Sequence, residues 1–104
     1  MEQVAQGTVG LRISLELVGP DGARLDTRGL TAPGFNVRIY SPLGTEAVDT
    51  WTPAASADGR TLDYDTQAGE LDRLGTHEVH AEASATGGKV YRSHRPFCFE
   101  VVAP

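Results

Sequence analysis

Apolar residues recur at every second position over much of the chain. Val9, Leu11, Ile13, Leu15 and Leu17 alternate with Gly10, Arg12, Ser14 and Glu16, which fits a strand with one buried face and fits a helical period of about 3.6 residues poorly. Phe35, Val37 and Ile39 repeat the pattern, as do Phe97, Phe99 and Val101. Leu62 and Tyr64 oppose Asp63 and Asp65, while His77, Val79, Ala81 and Ala83 oppose Glu78, His80 and Glu82. Weaker strands are expected over residues 23–27, 47–52 and 89–93, and residues 54–59 read as a loop.

The alternating runs are separated by turn chemistry. Gly19-Pro20-Asp21-Gly22, Ser41-Pro42-Leu43-Gly44 and Thr86-Gly87-Gly88 combine a preset φ, side chains that bond back to the backbone, and glycines that accept φ > 0. Residues 66–74 have room for one helical turn around 68–71, closed by Gly75; Gly69 and Gly75 exclude anything longer. The count is seven or eight short strands at intervals of roughly 8–12 residues, the pattern of an antiparallel β-sandwich or barrel. The expected organisation is one domain over residues 8–104, preceded by an N-terminal arm over residues 1–7.

Composition narrows the class. The chain has 104 residues, enough for one core but not two. Hydrophobic residues make up 39% and charged residues 22%, which suits a globular rather than a disordered chain. The formal net charge is −5, with acids spread throughout and no basic stripe, and this argues against a nucleic-acid partner. No apolar run approaches the roughly 18 residues of a membrane span, and Met1-Glu2-Gln3-Val4 lacks the basic start of a secretion signal. Synthesis in the cytoplasm is therefore expected. Cys98 is the one cysteine, so a disulfide-stapled module is excluded. In Phe97-Cys98-Phe99 it reads as a small buried hydrophobe. The basic residues are eight Arg and one Lys, Lys89, and guanidinium suits desolvated protein contacts better than ammonium.

Candidate chemistry is sparse. No Gly-x-Ser-x-Gly elbow and no phosphate-cradling loop occur. His77 and His80 lie three apart, on opposite faces of a strand, and so cannot chelate one ion. Asp63 and Asp65 share a face, but a calcium site needs about six or more oxygen ligands and no Asp-x-Asp-x-Asp-Gly loop supplies them. The reading is a non-enzymatic protein with no cofactor and no metal. Candidate protein-binding residues are Met1, Glu2, Gln3 and Val4 in the arm, Arg92 and Arg95 beside His94, and Trp51, which could face either the core or a partner.

The order of the elements is itself distinctive. A long first strand leads to the Asp21-Gly22 turn and Leu25-Asp26. Phe35 to Tyr40 is followed by the Ser-Pro-Leu-Gly turn, then by Asp58-Gly59-Arg60-Thr61-Leu62-Asp63-Tyr64. The acidic turn Gly69-Glu70-Leu71-Asp72-Arg73-Leu74-Gly75-Thr76 follows, and the chain closes with Val90-Tyr91-Arg92-Ser93 and Phe97-x-Phe99-Glu100-Val101. Over residues 7–102 this resembles the Ig-like small virion proteins of tailed bacteriophages, and it is similar to the N-terminal domains of upper baseplate proteins. It departs from them in carrying His77 where such domains often place an aromatic.

The resemblance implies an immunoglobulin-like β-sandwich that docks on other virion proteins, as a head or capsid decoration in the first place or as a tail or baseplate adaptor. Self-association is an option, and the virion is the implied location. A carbohydrate-binding or cell-surface-binding Ig-like module, with Trp51, Tyr40 and Tyr64 as a stacking platform, is the competing expectation.

Overall fold

The computed structural model describes residues 2–30, 34–40, 50–84 and 90–104. The described residues form nine strands and one 3-10 turn, with no α-helix. Three of the alternating stretches are each divided between two sheets. Residues 12–18 form β2 (Arg12–Leu15) and β3 (Leu17–Val18); residues 75–84 form β6 (Gly75–Val79) and β7 (Glu82–Ser84); residues 90–102 form β8 (Val90–Ser93) and β9 (Phe97–Val102). The strand count exceeds the expected seven or eight partly because of these divisions. Pro96 marks one of them, since it has no N–H to give to a ladder. At another, the His94 N–H reaches the carbonyl of Glu16 at 3.1 Å and ties two of the bends together.

The sheets each have three strands. With β1 (Glu2–Ala5), β4 (Ala54–Ala55) and β5 (Leu62–Asp65), the orders are β1-β9-β6, β2-β5-β4 and β3-β8-β7. All pairings are antiparallel except that of β1 with β9, which is parallel in the register Glu2↔Phe99 to Ala5↔Val102. The alternation sends one side chain in two inward. Ile13, Leu15, Leu17, Phe35, Val37, Ile39, Leu62, Val79, Ala81, Ala83, Phe99 and Val101 are all buried, so every sheet contributes to one core.

Several expectations are corrected. Residues 2–7 of the expected arm at 1–7 do not extend away from the domain. Glu2–Ala5 is β1, and Val4 is buried, because the edge of β9 offers unpaired backbone groups that a neighbouring strand satisfies. The first strand does not begin at Val9, which is 59% exposed. Gly10, at φ +89°, breaks the alternation just before it.

Residues 23–27 make only a bridge, Val18↔Arg24, and then a 3-10 turn over Thr27–Gly29. Asp26 favours that turn by accepting the Arg28 N–H at 2.9 Å. The expected loop at 54–59 begins as β4, paired to β5, and then closes through Gly59 at φ +72°. Residues 66–74 turn without forming a helix, and they bury Leu71. Of the expected strand at 47–52, residues 50–52 are not in a strand, and residues 47–49 lie outside the described residues. The turns at Ser41-Pro42-Leu43-Gly44 and Thr86-Gly87-Gly88 also lie outside them.

Candidate interaction surface

The residues singled out for partner binding are dispersed. Met1 lies outside the described residues. Glu2 and Gln3 are exposed on β1, where the Gln3 Nε2 donates to Glu100 at 3.5 Å, whereas Val4 points into the core. Trp51 is only 5% exposed and stacks on Tyr64, with centroids 5.0 Å apart and planes 13° apart. Phe35 meets the same tyrosine edge-on at 6.2 Å, and its N–H is held by the Trp51 carbonyl. The Tyr64 hydroxyl donates to the Glu70 carboxylate at 2.9 Å. Trp51 is therefore a core residue, and its stack with Tyr64 removes the outward platform. Tyr40 is elsewhere, edge-on to His80 at 5.9 Å. Arg92 and Arg95 are exposed, on β8 and in the bend after it.

Arg92 belongs to a surface that single-residue reading missed. Residues 34–40 run beside β7 through the bridge Gly34↔Glu82, and their alternation turns Phe35, Val37 and Ile39 inward while leaving Asn36 and Arg38 exposed. Across the next pairing, Glu82 stands opposite Arg92. The result is a row over three chain segments. The Arg92 Nε donates to Glu82 Oε1 at 2.8 Å, and the Asn36 Nδ2 donates to Glu82 Oε2.

The Glu82 side chain is 19% exposed and that of Arg92 is 73% exposed. These two donors, Arg92 first, hold the Glu82 carboxyl below its ordinary range. The hydroxyl of Tyr40 and the charge of Glu82 raise the pKa of Arg38, so its guanidinium stays charged. His80 and Ser93 complete a concavity of about 290 Å³. The Ser93 Oγ accepts the Ala81 N–H at 3.1 Å and the Ser93 N–H reaches the Ala81 carbonyl at 2.8 Å, which stiffens the floor. The surface offers hydrogen-bond donors on β8 and on the segment beside β7, with its one carboxylate already engaged.

The outer face of β2 and β5 is organised differently. Asp63 and Asp65 share it, as the alternation predicts, and there they bracket Arg12 at 3.4 and 2.5 Å. Among the described residues no group of three or more His, Cys, Asp or Glu is placed to hold a metal ion, and no helix is long and apolar enough to cross a membrane.

The two histidines of the 77–83 run do face opposite ways. His80 lines the concavity, while His77 is 1% exposed and stacks flat on Phe99 at 5.1 Å, filling the aromatic position with its own ring. Its Nε2 lies 2.8 Å from the Arg73 carbonyl, which requires the proton on that nitrogen, and the buried Nδ1 has no partner. Burial lowers the His77 pKa, and the nearby Arg73 charge adds to the effect against the pull of the carbonyl bond.

An unfolded histidine takes up its proton near pH 6.5, so below that pH the unfolded chain binds the proton and the folded chain resists it. Stability is thus expected to fall as the pH drops from about 6.5 toward the lower folded value. His77→Phe should flatten that limb in urea titrations at a series of pH values. The separate loss at lower pH should remain, as carboxylates held low in the fold are protonated, among them Asp26 at about 2. A limb unchanged by the substitution would assign it to other groups. Cys98 is half-buried, and burial followed by the charge of Glu78 raises its thiol pKa, which keeps it a weak nucleophile.

Set against models of known protein families, against curated proteins and against solved structures, the chain matches none of them.

Proposed function

We propose that the chain is an immunoglobulin-like β-sandwich that serves, without catalysis, as a structural protein of a bacteriophage virion. It docks on other virion proteins, foremost as a head decoration, with a tail or baseplate adaptor as the variant of the same role. The strand order supports the sandwich. The neighbours β2-β5-β4 are consistent with the B-E-D part of one immunoglobulin sheet, and residues 34–40 beside β7 and then β8 are consistent with the C-F-G sheet. The virion setting is supported by the turn and strand sequences that resemble small phage proteins.

The observation that carries the docking role is the row Asn36, Glu82 and Arg92 with Arg38 beside it: hydrogen-bonded across three segments, open to solvent and carrying two guanidinia. Arginine of this kind is enriched at protein interfaces. The carbohydrate reading loses its support, because Trp51 and Tyr64 are stacked together with Trp51 buried. The test is mass spectrometry of density-gradient-purified particles, with heads and tails analysed separately. A fixed copy number in one of the two fractions is expected. Particles devoid of the chain, from cells that produce it in quantity, would overturn the proposal.

A further inference from the structure

We infer that the concavity formed by residues 36–40, β7 and β8 receives an acidic side chain, aspartate or glutamate, from a partner protein. The inference rests on the docking role proposed above and specifies its chemistry. It begins with the distribution of charge. Elsewhere on the described surface three of the other six arginines have carboxylates of their own: Arg12 has Asp63 and Asp65, Arg28 has Asp26 at 2.9 Å, and Arg60 has Asp58 at 3.5 Å. In the concavity two guanidinia, Arg38 and Arg92, share the single carboxylate of Glu82. Among the described residues that leaves a local positive excess, on a chain whose net charge is −5. At physiological salt, charges are screened beyond about 8 Å, so an approaching group responds to this local excess rather than to the acidic whole.

Geometry selects a carboxylate. Glu82 already shows how these donors hold one, with Arg92 on one oxygen and Asn36 on the other. Arg92 spends its Nε on that bond, leaving the two terminal nitrogens of a largely exposed side chain for a second acceptor. At about 290 Å³ the concavity lies at the lower limit of the roughly 300–1,000 Å³ typical of small-molecule sites, a size suited to one or two side chains. Arg92 stands on the paired strand β8 and Asn36 is already held against Glu82, so part of the ordering is in place before binding.

The test uses the full chain and a fluorescein-labelled octapeptide of alternating Glu and Gly, with its Gln-Gly counterpart as control. Fluorescence anisotropy at about 50 mM salt should show saturable binding of the acidic peptide only, fading as salt rises. Arg38→Gln and Arg92→Gln should each weaken it about tenfold or more, and Arg73→Gln, at an exposed arginine on the 66–74 turn, should not. On the unmodified protein, amide NMR shifts should concentrate at residues 36–40, 80–82 and 92–93. Absence of saturation, equal binding of the Gln peptide, equal loss with Arg73→Gln, or shifts centred elsewhere would each overturn the inference. Self-association abolished by Arg92→Gln would do so as well, by making a second copy the occupant. The two proposals fail separately. Particles that retain the Arg38→Gln and Arg92→Gln variants would leave docking intact and remove the carboxylate site, whereas peptide binding by a chain absent from particles would do the reverse.

Discussion

Truncating Phe99 to alanine is expected to lower the free energy of unfolding by about 3–5 kcal/mol. Phe99 is fully buried on β9, the central strand between β1 and β6. Its ring stacks on His77 and meets Phe97 at 6.0 Å, so the substitution removes apolar burial, two ring contacts and the support of the His77 imidazole together. Domains of this size are stable by about 5–15 kcal/mol in all, so the variant should lose a large share of the total. Urea titration will show the midpoint fall at unchanged slope. A loss below about 1 kcal/mol would mean that the packing of β9 against β6 has been misread.

Trp51→Ala should cost a comparable amount, about 3–5 kcal/mol. Part of this comes from the stack on Tyr64, where an aromatic pair contributes about 0.5–1.5 kcal/mol beyond its buried area. Trp51 is the single tryptophan, so its fluorescence reports on one site. Native emission should be shifted to the blue and shielded from iodide, and both properties should vanish in one step with unfolding. Solvent-like emission from the native protein, together with a near-neutral alanine variant, would return Trp51 to the surface and restore a partner-binding role for it.

How far the sequence revealed this depends on whether the causes lie nearby in the chain. Period-two alternation places Ile13, Leu15 and Leu17 inward because consecutive residues of a strand must face opposite ways, and the same rule separates His77 from His80. It carried one step too far at Val9, where nothing in the apolar pattern signals that Gly10 adopts a positive φ. The strand Glu2–Ala5 was illegible for a different reason. Val4 is its only large apolar residue, and its partner Phe97–Val102 lies at the far end of the chain, so the edge of β9 and not local preference makes it a strand.

Trp51 could be read either way because an isolated tryptophan in a weak segment has no periodic neighbours to orient it. The concavity was the least visible feature. Arg92 was picked out as an exposed guanidinium, but Asn36, Arg38 and Glu82 join it only through pairings between segments distant in sequence.

The parallel union of β1 with β9 has a mechanical consequence. Tension applied upstream of Glu2 and downstream of Val102 drags two strands that run the same way in opposite directions. The four paired positions are then loaded in shear, and their hydrogen bonds must yield together, whereas an antiparallel hairpin pulled from its open end peels apart bond by bond. A chain strung between two neighbours would on this geometry act as a stiff tether, with its first and last strands as the clasp.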